Sequence, residues 1–197
     1  MEATGMQYSV SFVFDEHKAT QASAYLLGLN KGRMNYMKLM KILYLSDRRF
    51  ILDWGNSITT DNYVSMDNGP VISRIYDLIK DSNTDTGTYW ASCIRTIGYE
   101  VFLQKDPGVD CLSPMEMEII ERVNSEFEGF SEWDLVDFCH KNLPEWQNPH
   151  GSSIQISIED ILSAEKKGEE YNQAIGEIQL AAEIQKSNYF MQRARKL

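Results

Sequence analysis

The segment YVSMDNGPVISRIYDLI, residues 63–79, sets an acid, an amide and a Gly-Pro pair directly ahead of an apolar pattern. Asp67-Asn68-Gly69-Pro70 therefore has the residue types of a reactive loop, and equally those of a plain turn. Asp47 is a second candidate. It falls in an apolar stripe between Leu43 and Phe50, where a carboxylate needs a partner or a raised pKa. Arg74, or a backbone N–H of the 67–72 turn, is a suitable partner. Cys139 and His140 are adjacent, and His150 sits in NPHG. A nucleophilic pair needs its base within hydrogen-bond reach and a third group to orient it. Neighbours on a helix point about 100° apart, so Cys139 and His140 do not pair directly. Near a helix end, His140 suits a structural role, a partly charged imidazole facing free carbonyls. Lys38, Lys41 and Arg48 share one helix face. They are either a basic ridge for a partner or long stems covering the helix flank.

Other chemistries find no support in the motifs. There is no HExxH, CxxC, GxGxxG or phosphate loop, and DNG at 67–69 lacks the ligand spacing of a calcium loop. Neither a metal nor a cofactor is expected. The three cysteines, Cys93, Cys111 and Cys139, are odd in number and far apart, which fits reduced thiols in a cytoplasm. The opening residues MEATGMQYSV lack the basic region and apolar run of a signal peptide. No run reaches the ~18 apolar residues of a membrane span. A net charge of −10, from 29 acids and 19 bases, argues against nucleic-acid binding; it first of all aids solubility, and it would also suit a basic partner.

The elements that must position these residues are mostly helical. The 197 residues, 43% hydrophobic, are enough for one packed domain with an appendage. Residues 17–30 read as a helix stopped by NKG. The strongest helix starts at Asn35 as N-cap and stops at Gly55, with Tyr36, Leu39, Met40, Leu43, Phe50, Ile51 and Trp54 on its core stripe. A third helix spans about 70–80, with Pro70 at its first position and Asp67 or Asn68 as cap. DSNTDTGT is a loop, and YWASCIRTIGYEVFLQKD reads as a small hairpin near residues 90–104. Ser113–Glu116 and SEWD at 131–134 are capping boxes that open two further helices. SIEDIL begins another after Ser157. A change of character near Gly168 divides the chain into a domain, 1–167, and a C-terminal helical extension, 168–197. The expected fold is mainly α (α+β), a helical domain with one small hairpin.

The ordered set of motifs resembles the Panacea domain, the family of SocA-like antitoxins that also includes GepA-like proteins of mobile elements. The resemblance runs over about residues 20–165. It rests on Lys38, Leu39, Lys41, Ile42 and Tyr44, then Gly55 and Ile58, then Gly69, Pro70 and Val71. Leu112, Ser113 and Glu116 follow, and then Leu135, His140 and Trp146. On that resemblance Tyr44, Asp47, Gly69, Pro70, His140 and Trp146 are structural signature positions and no residue is catalytic.

The resemblance implies a non-enzymatic protein that neutralises a cognate protein toxin. In the SocA case it implies an adaptor that presents the toxin to a cytoplasmic AAA+ protease. The C-terminal helix, or Lys38, Lys41 and Arg48, would make the contact. Two alternatives stand beside it. One is a phage or mobile-element adaptor that binds a host protein. The other is a hydrolase using Asp47, His140 or His150, which requires those groups to converge in one pocket. The sequence shows no basic recognition helix for DNA, and its only basic run is RARK at 193–196.

Overall fold

The computed structural model describes residues 10–81 and 87–194, apart from the side chains of Gln192 and Arg193. Most of the expected loop at 81–88, and the basic side chains of the terminal RARK run, lie outside them. The described chain is mainly α, with eight helices and two small antiparallel sheets.

Helix α1 (Glu16–Leu29) is capped by Asp15, whose carboxylate accepts from the His17 and Lys18 N–H groups. Strand β1 (Arg33–Asn35) leads into α2 (Tyr36–Trp54). Asn35 caps α2 by accepting from Met37 N at 2.8 Å, and Gly55, at φ 64°, ends it. From Leu39 to Asp47 every α2 residue is buried, including Lys41, Ser46 and Asp47. α1, α5 (Pro114–Glu126), α6 (Glu132–Asn142) and α7 (Ile158–Glu165) all pack on it. The apolar stripe thus marks only part of the buried surface. Trp54 was expected on that stripe and is 56% exposed, because the last turn of α2 runs past the core.

The chain between α2 and α3 departs most from expectation. Residues 63–72 form a β-hairpin, β2 (Tyr63–Met66) and β3 (Gly69–Ile72), rather than the entry to a helix. Pro70 is therefore not a first helical residue. It sits in β3 opposite Ser65, at the edge of a sheet ordered β3-β2-β6, where a missing N–H is tolerated. Asp67 and Asn68 make the turn and cap no helix. Gly69, at φ 91°, supplies the left-handed residue that follows such a turn. Helix α3 (Ser73–Asp81) starts three residues later than expected.

A short helix α4 (Tyr89–Cys93) precedes the expected hairpin, β4 (Ile94–Ile97) and β5 (Glu100–Leu103). β1 joins β5 to make this sheet three-stranded. β6 (Ile154–Ile156) completes the other sheet by pairing with β2. The capping boxes expected at Ser113 and Ser131 are formed, and Ser157 makes a third with Asp160.

Helix α8 (Gly168–Ala194) lays Tyr171, Ala174, Ile175, Ile178 and Ala182 on the core. The Gln185 amide clamps Val13, accepting from its N–H at 3.0 Å and donating to its C=O at 2.7 Å.

Gly69 gives a direct test of the hairpin. A Cβ there would lie 2.9 Å from Lys41 Nζ and 3.3 Å from Cys139 Cβ, on a backbone already at positive φ. Gly98 has positive φ but nothing within 4 Å of its Cβ position. Gly69→Ala is expected to cost about 2–4 kcal/mol in urea unfolding, and Gly98→Ala only the backbone share of about 1 kcal/mol.

Candidate functional site

Helix α2 turns Lys41, Tyr44, Asp47 and Arg48 inward, and between them they meet three other parts of the chain. Lys41, 1% exposed, donates from Nζ to Pro70 C=O at 2.7 Å. Its amine lies against Gly69 and Cys139, and burial pushes its pKa down to about 8. The same burial pushes the Cys139 thiol up to about 11, so this cysteine is a packed group rather than a thiolate nucleophile.

One turn on, Tyr44 Oη donates to Glu145 Oε1 at 2.8 Å. Arg48 Nε reaches the same oxygen at 2.8 Å, and Arg48 Nη2 reaches Glu165 Oε1 at 2.9 Å. The Glu145 side chain is fully enclosed. Burying that carboxylate is tolerable because a phenol and a guanidinium both donate to it.

Asp47 is enclosed by the 57–63 segment. Oδ1 accepts from Ile58 N at 2.7 Å, Thr59 N at 2.9 Å and Ser57 Oγ at 3.3 Å. Oδ2 accepts from Thr59 Oγ1 and from Tyr63 Oη at 3.1 Å. Burial nonetheless outweighs these donors and raises its pKa. The loop around it is strained, since Thr60, a β-branched residue, is held at φ 54°. Asp47 thus meets neither Arg74 nor the 67–72 turn. Asp61 takes that place. Its carboxylate accepts from Asn62 N at 2.6 Å and from Arg74 N and Ile75 N, both at 2.8 Å, at the start of α3. Burial raises its pKa to about 7 against those three donors, with the charge on Asp47 adding to the rise.

His140 lies in the last turn of α6, as expected, but is not a charged cap. Its ring stacks on Trp146, with centroids 3.9 Å apart, and Nε2 is buried without a partner. Desolvation and nearby Lys41 push its pKa down, so the imidazole is neutral at pH 7. Trp146 Nε1 donates to Met66 C=O at 3.0 Å, and Gln147 N donates to Ser65 Oγ at 3.2 Å. The 143–147 segment is thereby tied to the β2–β3 hairpin that Lys41 holds from the other side.

Lys38, Lys41 and Arg48 read as a basic ridge or as long stems along the helix, and each makes contacts within the chain. Lys41 is buried. Arg48 is paired with Glu145 and Glu165. Lys38 donates to the Glu128 and Phe130 carbonyls at 3.1 and 2.6 Å. The hydrolase candidates also stay apart: Asp47 is sealed by the 57–63 segment, His140 lies on Trp146, and His150 occupies an exposed turn at φ 50°. Among the described residues no group of three or more His, Cys, Asp or Glu side chains could hold a metal ion. None of their helices is long and apolar enough to cross a membrane.

A family model described as Antitoxin SocA-like, Panacea domain, matches residues 39–147. The chain belongs to the SocA-like antitoxin family. No curated protein and no solved structure matches it. The Panacea match opens inside α2 and closes just after Trp146, so it contains Lys41, Tyr44, Asp47, Arg48, Asp61, Gly69, Pro70, His140 and Glu145. Helices α7 and α8 lie beyond it. Asp61 and Glu145 were not singled out in the sequence. Glu145 adjoins Trp146 in LPEW, but nothing local shows that Tyr44 and Arg48 converge on it.

Two predictions follow from these pairings. Because the Asp61 pKa rises from 3.8 to about 7 on folding, its stabilising contribution is full below pH 4 and is lost as pH rises toward 7. Thermal unfolding across that window should therefore show a shallower decline with pH in Asp61→Asn than in the wild type. Glu145→Ala strands the Tyr44 hydroxyl and the Arg48 guanidinium and is expected to cost about 3–5 kcal/mol. Lys38→Ala, which loses only half-exposed bonds to carbonyls, should cost under ~1 kcal/mol in the same urea titration.

Proposed function

We propose that this protein is a non-enzymatic antitoxin-like interaction protein that binds a cognate protein toxin and masks it sterically. Membership of the SocA-like antitoxin family is the observation that carries this reading. The disposition of the polar side chains supports it. Lys41, Tyr44, Asp47, Arg48, Asp61 and Glu145 all bond within the chain, and the arrangement reads as scaffolding rather than as a reaction centre. Handover of the bound toxin to an AAA+ protease is a second step that the SocA resemblance suggests, and the cytoplasm is its natural setting.

On this reading residues 1–167 are the antitoxin domain and 168–197 an extension that takes part in the contact. The net charge of −10 favours a basic partner, since opposite fields speed encounter and suppress wrong partners.

The test is genetic and direct. The open reading frame next to the gene is expressed alone and then together with this chain. Growth arrest in the first case, relieved in the second with co-purification of the two products, is the expected result. A harmless neighbour, or arrest that persists on co-expression, would sink the reading. Asp47→Ala and His140→Ala add a check on enzymatic alternatives. At the reduced temperature where each variant accumulates folded, both should still relieve arrest, whereas a hydrolase would lose activity by a factor of ~10² or more.

A further inference from the structure

Helix α8 has two apolar sides. Ile178, Ala182 and Gln185 face the core. At 100° per residue, Leu180, Ile184 and Met191 fall within about 40° of one another on the opposite side. They are 59%, 53% and 50% exposed, and exposed Phe190 adjoins them. An amphipathic helix docked on a domain ordinarily turns polar residues outward. Carboxylates border this outward stripe. Glu177 and Glu183 are exposed and lie on its two flanks, each about 60° from Leu180. Exposed Glu169 and Glu170 continue the acidic border into the first turn, where Glu170 pairs with Lys166. Lys186 lies about 120° away from Leu180.

We infer that the outward face of α8 docks a basic amphipathic helix of a partner protein. Leu180, Ile184 and Met191 span about three turns, with exposed Ser187 between the last two, which suits a helix presenting anchors at i, i+4 and i+11. The bordering glutamates select Lys and Arg beside those anchors. Charge also decides against a second copy of this chain. Two copies would bring together two molecules of net charge −10, and Lys186, about 120° from Leu180, is the one described cationic side chain of α8 to offset them. This inference deepens the antitoxin reading, in which the partner is the toxin, and rests on it for that identity only.

The probe is a fluorescein-labelled synthetic helix of about five turns, with Leu at i, i+3, i+4 and i+7 and Lys elsewhere. A counterpart carries Glu in place of Lys. Fluorescence anisotropy is measured with the full-length wild type, with Leu180→Ser/Ile184→Ser and with Glu177→Gln/Glu183→Gln. These positions are exposed, so the variants should keep the wild-type unfolding midpoint. The Leu/Lys helix should bind the wild type and bind each double variant ~tenfold more weakly, and the Leu/Glu helix should not bind. Equal affinity for the wild type and the stripe variant overturns the inference. So does a wild-type dimer in sedimentation velocity that Leu180→Ser/Ile184→Ser dissolves, because the occupant is then a second copy. In co-expression, a toxin relieved equally well by the stripe variant overturns this contact and leaves the antitoxin reading standing. A harmless neighbour removes that reading while the anisotropy result still decides the contact.

Discussion

Between Leu39 and Asp47 helix α2 is buried on every side, yet it carries Lys41, Tyr44 and Asp47, with Arg48 immediately after. A buried polar group without a partner costs more than most packing contacts return. Each of these side chains therefore dictates where another segment must lie. Lys41 requires the Pro70 carbonyl, Tyr44 and Arg48 require Glu145, and Asp47 requires the 57–63 loop. Three stretches outside α2, one following it directly and two farther along the chain, are thus positioned by hydrogen bonds that have no substitute in an apolar surrounding. The β2–β3 hairpin, the LPEW segment and the 57–63 loop follow from that single requirement.

The same requirement explains how the SocA-like signature should be understood. Charged and aromatic side chains inside the matched region bond to other parts of the same chain. Asp47 and Asp61 both bind backbone N–H groups, one closing a strained loop and the other starting a helix. His140 is held neutral against Trp146. Helices α7 and α8 lie outside the matched region. Of these, α8 combines a docked face with an exposed apolar one.

Much of the helical framework was legible locally. Asn35 and Gly55 bracket α2, and the Ser-x-x-Glu and Ser-x-x-Asp boxes open α5 and α6, because caps act within one turn of chain. The β4–β5 hairpin was legible from its β-branched and aromatic residues about Gly98. Strand β3 was not. Gly-Pro-Val-Ile ahead of a helical pattern is what a helix start looks like, and only pairing with β2 makes it a strand. β6 was invisible for the same reason, since its three residues acquire a ladder only from β2. The spacing of Lys38, Lys41 and Arg48 left a basic ridge and flank-covering stems equally open, because a helical wheel is blind to how many neighbours surround the helix.

The amino-acid sequence by itself determined the mainly α class, the helix boundaries set by caps and glycines, the acidic net charge and membership of the SocA-like family. These depend on contacts within a few residues or on the order of motifs along the chain. Tertiary structure alone decided that Lys41 is buried, that Asp61 rather than Asp47 holds α3, that Glu145 is the shared partner of Tyr44 and Arg48, and which side of α8 remains exposed. Burial and long-range pairing are properties of what surrounds a residue in space, and no local pattern encodes a neighbour a hundred residues away.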